Sequence, residues 1–326
     1  MRSSLRSMLV ALTAAAMMIA MAACGDEKKE KGTAPAGGGA GASGQVIQKN
    51  AANAKTAVTV GSKNFTEQFI LGEIYAQALE AAGFKVKKEL NLGSELIAFK
   101  ALRGGQIDAY PEYTGTALTS FFKVKTDQVP KQPQQAFDQL TADLAKDDIT
   151  ALAPTPFENT YRLGLTKKKA AELGNPKNIS DLTGKSQQLV INGFPECKQR
   201  TDCLLGVQKT YGLKFKKFLA SESKFEVLDK GQADVAFVFT TDAPLATKKY
   251  VVLEDDKKLF PPYNITFMVR NETLQKIGPQ GRKVLEDVGK PLTVAVMQEL
   301  NSRVDLDKQE PEKVATDYLK ESGFTK

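Results

Sequence analysis

The stretch "GQIDAYPEYT" at residues 105–114 returns in altered form as "GQADVAFVFT" at residues 231–240. In each copy an Asp stands three positions after the Gly (Asp108, Asp234). Each copy ends on an aromatic followed by Thr (Tyr113 and Thr114, Phe239 and Thr240). Both follow a helical-looking segment. Helix, Gly and apolar strand in that order are the grammar of an α/β fold. In open α/β sheets, ligands bind beyond the carboxyl ends of the strands. Two copies therefore predict two lobes that face each other, with Tyr113 and Phe239 on opposite walls of one cleft. Asp108 and Asp234 sit at strand starts, where Asp ties a turn, and carry no expected catalytic role.

The neighbouring sequence extends this pattern. "TAVTVGS" (56–62) is β-branched and reads as a strand. Asn64 stands three before Glu67, a capping-box spacing. "FTEQFILGEIYAQALEAAG" then carries an amphipathic helix closed by Gly83. "FKVKKELNL" (84–92) alternates like an exposed edge strand, and "GSELIAFKALRGG" (93–105) is a second helix with Ser94 as cap. Together with 105–114 this is βαβαβ. A second lobe begins at residue 161 with strands at 161–166, 187–193, 233–239 and 250–254 and a short helix near 201–211. Residues 271–323 read as three amphipathic helices with Pro near each start.

The chain has 326 residues, 42% hydrophobic and 25% charged, which suits a soluble protein of two domains. Residues 1–24 are the exception. Arg2 and Arg6 precede an apolar run at 8–23, and small residues lead into Cys24. That is a secretory signal, and its end resembles a bacterial lipobox with Met21 in the usual Leu position, so that Cys24 is acylated after cleavage. An ordinary signal peptide with an incidental Cys is the alternative. Residues 25–55 are a charge run followed by Gly, Ala, Ser and Pro, and read as a flexible tether.

Net charge is +7 and becomes +5 once Arg2 and Arg6 leave with the signal. Lys and Glu are interspersed, so no nucleic-acid surface is expected. There is no His, which removes Ser-His-Asp and Cys-His catalysis and the commonest metal ligand. Cys197 and Cys203, in an exported chain, point to a disulfide. Zinc is the rival use, but it takes four ligands as a rule and no third Cys or His is near. No metal or organic cofactor is expected.

"SKNFTEQFILGEIYAQALE" and "GGQIDAYPEYTGTALTSFF" resemble the substrate-binding proteins of osmoprotectant ABC importers, the glycine betaine/choline/carnitine-binding family. "ENTYRLGL", "RTDCLLGVQKTYGLKF", "FTTDAPL" and "FPPYN" extend the match from about residue 58 to the C-terminus. The resemblance implies a two-lobed α/β receptor of the periplasmic-binding-protein type (class II). Its sheets are expected to be mainly parallel and flanked by helices, with two hinge crossings. Lobe I would be 56–157 plus 263–326, and lobe II 158–262. It implies a receptor rather than an enzyme, working with permease and ATPase subunits as a monomer tethered at the outer face of the bacterial cytoplasmic membrane.

A quaternary ammonium has a permanent charge and no N–H, so aromatic faces must hold it. On the family pattern Tyr113, Tyr161, Phe239 and Tyr263 form that box. Lys63, Thr116 and Arg200 take a carboxylate at the ligand's other end. Phe239 stands where the family has Tyr, which speaks against glycine betaine in particular and leaves choline, carnitine, proline betaine and an imidazole betaine open, with an amino acid as a further alternative. The Cys pair lies where the family has other residues and would pin Arg200 or staple an exported loop. An exported hydrolase without His, or an adhesin, is the competing class; no Ser-x-x-Lys in a persuasive setting supports the first.

Overall fold

A computed structural model describes residues 45–326. The expected signal, Cys24 and most of the tether lie outside the described residues. The chain lays down β1 (Ala57–Gly61), β2 (Lys85–Glu89), β3 (Ala109–Tyr113) and β4 (Ile149–Ala151), then crosses to a second sheet. There it forms β5 (Tyr161–Thr166), β6 (Val190–Gly193), β7 (Lys217–Ala220), β8 (Val235–Phe239) and β9 (Tyr250–Leu253). It returns to the first sheet as β10 (Ile265–Arg270). The strand orders are β2-β1-β3-β10-β4 and β7-β6-β8-β5-β9.

The two orders are equivalent, and the repeated stretch supplies the central strand of each sheet. Asp108 accepts the backbone N–H of Thr59 at 2.7 Å, and Asp234 accepts that of Val190 at 2.8 Å. Each carboxylate thus ties the start of the central strand to its parallel neighbour, which fixes the register in both lobes. Tyr113 and Phe239 end these strands and face Ile265 and Tyr161 across antiparallel pairings.

Mainly parallel pairing was expected, but each sheet is mixed. β1 pairs parallel with β2 and β3, and β6 with β7 and β8. β10 and β5, the strands that enter from the opposite lobe, pair antiparallel on both sides. A chain that crosses between lobes enters each sheet from the cleft end, opposite to strands fed by local helices. That entry reverses their direction.

Helix α1 (Thr66–Ala81) buries Ile70, Leu71, Ile74, Ala78 and Leu79. The C-terminal helices Asn271–Gly289, Val294–Asp305 and Pro311–Glu321 close over this lobe. Tyr318 is buried among them and donates to the carbonyl of Val288 at 2.7 Å. Gly278, at φ 63°, breaks the first of the three just before Pro279, a conformation that glycine reaches without strain. No helix of the described residues is long and apolar enough to cross a membrane.

Two local expectations need correction. The tether does not run to residue 55. Asn50 caps a short 3-10 helix at Ala51–Lys55, and the Ile47 and Asn50 amides donate to the carbonyls of Phe324 and Ala82. Those bonds, with Ile47 packed on the core, fasten residues 47–55 to the first lobe. Nor does Asn64 cap α1: Phe65 is the N-cap and makes no side-chain cap bond. Gln68 instead turns back to accept the backbone N–H of Lys63 at 3.2 Å.

Cys197 and Cys203 are bonded, with Cα atoms 5.2 Å apart, and both are fully buried. The bond closes a small loop just before the helix Leu204–Tyr211. Chain-entropy arithmetic for so short a loop gives about 2 kcal/mol. Replacing both cysteines with Ser is therefore expected to lower the urea-unfolding free energy by about that amount. The check is equilibrium denaturation of both forms without reductant; equal midpoints and slopes would exclude a stabilising role.

Candidate functional site

The two crossings, residues 152–160 and 254–264, run side by side between the lobes. Glu158 and Asn264 form an antiparallel bridge, and the Asn159 amide donates to the carbonyl of Tyr263 at 3.1 Å. This seam brings the ends of β3, β5 and β8 together. Of the four rings expected to form a box, three meet here.

Tyr161 is the hub. Its ring centroid lies 4.8 Å from Phe239 and 5.4 Å from Tyr263, the latter edge-on at 87°. Phe260 at 5.5 Å and Phe194 at 6.2 Å complete the surround. Alternation along β5 points Tyr161 and Leu163 to one face. β8, its antiparallel partner, delivers Phe239 directly opposite Tyr161. Tyr263 comes from the second crossing, and its hydroxyl donates to Asp202 at 2.7 Å.

Tyr113 is adjacent but makes a different pair. Its ring stacks on Phe65 with centroids 6.2 Å apart and planes 20° apart. Two residues after Tyr113, Gly115 packs against the second crossing, where an added Cβ would lie 2.9 Å from the Tyr263 ring. Only glycine permits that approach. Thr116, three residues past the strand, is buried and its hydroxyl bonds to no described residue.

Lys63 and Arg200, expected to grip a ligand carboxylate, both have protein partners. Lys63 is buried and ion-paired with Glu112, itself inaccessible. Glu112 also accepts from the Tyr110 hydroxyl and the Tyr113 amide. The Lys63 ammonium rests 4.4 Å from the Tyr113 centroid and 5.6 Å from Phe65, so two rings already hold a cation. Arg200 makes a fork with Asp202, Nε at 2.8 Å and Nη2 at 2.6 Å, and its Nη1 reaches Glu95 across the cleft at 3.0 Å. Burial alone would raise the Asp202 carboxyl. The Arg200 fork and the Tyr263 hydroxyl outweigh it and hold the group below the ordinary range.

Sequence reasoning missed Phe65, Phe194 and Phe260 as ring partners, and Glu67, Glu95, Glu112 and Asp202 as the carboxylates around them. Phe65 and Glu67 were visible inside "SKNFTEQ", but nothing in that run distinguishes a site residue from a helix start. Glu67 links the elements of the seam. It accepts from the Tyr113 hydroxyl at 2.7 Å, Asn159 of the first crossing at 2.9 Å and Asn301 at 3.1 Å. Asn301 also donates to the carbonyl of Thr241 in the second lobe.

Residues 56–321 match the family described as the substrate binding domain of ABC-type glycine betaine transport systems. The chain belongs to that family. It is 35% identical to a glycine-betaine-binding protein of Pseudomonas aeruginosa, over 80% of this chain and 86% of that protein. It is 29% identical to the glycine betaine-binding protein YehZ of Escherichia coli, over 84% and 93% of the two lengths. The solved structure of a glycine betaine/carnitine/choline ABC transporter superposes with a TM-score of 0.69 at 28% identity, covering 81% of this chain and 98% of that one. The two lobes are those of a periplasmic binding protein, and the family consists of receptors rather than enzymes.

Glu67 has a measurable consequence. Burial pushes its carboxyl up from the ordinary 4.5, against hydrogen bonds from Thr241, Tyr113, Asn159 and Asn301. A carboxyl raised on folding makes the fold more stable below its unfolded pKa, and that stability is lost as pH rises toward the folded value. Glu67→Gln is expected to flatten this part of the stability profile. Urea denaturation of both proteins between about pH 4.5 and 8 checks it; parallel profiles would show that Glu67 does not titrate in that window.

Proposed function

We propose that this protein is an extracytoplasmic solute receptor that binds a quaternary-ammonium osmoprotectant between its lobes and delivers it to an ABC importer. The observation that carries the reading is the ring cluster centred on Tyr161, with Phe239 and Tyr263 from other segments, at the seam of a glycine betaine-type binding fold. The methylated ammonium of such a ligand offers nothing to hydrogen-bond donors or acceptors. Each ring face contributes roughly 0.5–2 kcal/mol when desolvated, so three or four are needed for a useful affinity.

Lobe I is read as residues 56–157 plus 263–326 and lobe II as 158–262, with the crossings as hinges. The described conformation is closed. Thr126 and Thr201 share a hydrogen bond of 2.7 Å across the cleft, and Gln298 donates to the carbonyl of Thr240 at 2.8 Å. The rings rest against one another in it, so an ammonium enters when the lobes part. It then stabilises closure by touching rings from both sides. Acylation at Cys24 would hold the monomer at the outer face of the cytoplasmic membrane, where the closed form meets permease and ATPase subunits.

Calorimetric titration with choline, glycine betaine, carnitine and plain amino acids tests the reading. Heat is expected from the quaternary ammonium compounds and not from amino acids that lack the methylated nitrogen. Phe239→Ala removes one half-exposed ring and is expected to weaken binding about tenfold. Amino acids binding as tightly as methylated cations, or undiminished affinity in Phe239→Ala, would reject the box.

A further inference from the structure

Among the described residues, the cations resting within 6 Å of the site's rings are Lys63, Arg200 and Lys224. Each is already matched by protein carboxylates. Lys63 is paired with buried Glu112. Arg200 has its fork on Asp202 and its third edge on Glu95. Lys224 lies 4.2 Å from the Phe239 centroid and is chelated by both oxygens of Asp242, at 2.7 and 2.8 Å. Four carboxylates therefore face three cations, and one negative charge is left over before Glu67 is counted.

A zwitterionic ligand needs a cation for its carboxylate. Taking Lys63 would strand Glu112, a buried carboxylate with no water to replace its partner, which is strongly unfavourable. Taking the Arg200 fork would strand Asp202, a buried carboxylate left with only the Tyr263 hydroxyl in place of its cation. The remaining edge, Arg200 Nη1, is held by Glu95. That carboxylate reaches over from helix α2 (Glu95–Arg103) of the first lobe, and a ligand's carboxylate would have to displace it to reach Nη1.

Resting on the receptor reading above, we propose that the site selects a quaternary ammonium that carries no carboxylate, a choline-type cation, over zwitterionic betaines. A hydroxyl-bearing cation brings the positive charge that the site lacks. Its hydroxyl requires only a neutral partner, which Thr116 can supply. The selection arises from electrostatic complementarity, in which a like charge placed against the ligand rejects the wrong partner.

The experiment is side-by-side calorimetry of choline and glycine betaine with the mature protein and with Glu95→Gln. Choline is expected to bind at least about tenfold more tightly than glycine betaine. In Glu95→Gln the Nη1 edge is freed and the surplus negative charge is gone, so the preference is expected to narrow by about tenfold through a gain in betaine affinity. Glycine betaine binding as tightly as choline, or more tightly, overturns the inference and leaves the receptor reading standing. No heat from any quaternary ammonium overturns both. Glu95 lies at a helix start near the surface. If the variant does not fold, the wild-type comparison alone decides.

Discussion

A cation held against aromatic faces and largely withdrawn from water is the arrangement on which this molecule depends. Desolvating a positive charge is costly unless something replaces the lost hydration. Here the replacements are π-faces and carboxylates, and they come from segments far apart in the chain. Lys63 rests on Tyr113 and pairs with Glu112; Lys224 rests on Phe239 and pairs with Asp242. On the proposed function the same chemistry would serve a methylated ligand, which differs in bringing its own charge and no N–H. The rings, their spacing and the carboxylates behind them thus form one electrostatic system, and the proposed ligand would be a further cation within it.

The fold makes that system possible by bringing strand ends together. Two sheets of equivalent order each place a central strand with an aromatic at its cleft end. The two strands that enter from the opposite lobe then bring Tyr161 and Ile265 alongside those ends. Glu67 couples the arrangement to motion. It bonds the Tyr113 hydroxyl, a crossing residue and a C-terminal helix that itself contacts the second lobe. Parting the lobes must disturb at least one of those bonds, so the ring of Tyr113 and the hinge are mechanically connected. The disulfide acts next to Arg200, shortening the loop that carries it.

Much of this was legible in the chain. The repeat around Asp108 and Asp234 announced two equivalent sheets, because both carboxylates perform the same local task of tying strand to strand. Every expected strand formed with small changes at its ends. Periodicity could not show pairing direction, since β5 and β10 look like any apolar strand until the crossings are placed. The tether's end was misjudged because a Gly/Ala-rich run hides one capping Asn and one packed Ile. Among the candidate site residues, Tyr161, Phe239 and Tyr263 could be named from motif and position, whereas Phe65, Phe194 and Phe260, which lie beside candidate rings in space, could not. Nor could the charge partners: Glu112 meets Lys63 from 49 positions away and Glu95 meets Arg200 from 105, and a surface helix start such as Glu95 looks the same whether it faces solvent or an arginine.

The proposed function turns on where a ligand's N-methyl groups lie. The direct measurement is intermolecular nuclear Overhauser contacts between the methyl protons of bound choline and the ring protons of selectively labelled Tyr and Phe. Contacts to Tyr161, Phe239 and Tyr263 together are expected. Methyl contacts confined to the separate cavity beside Lys131, Arg162 and Pro262, with none to those three rings, would contradict it.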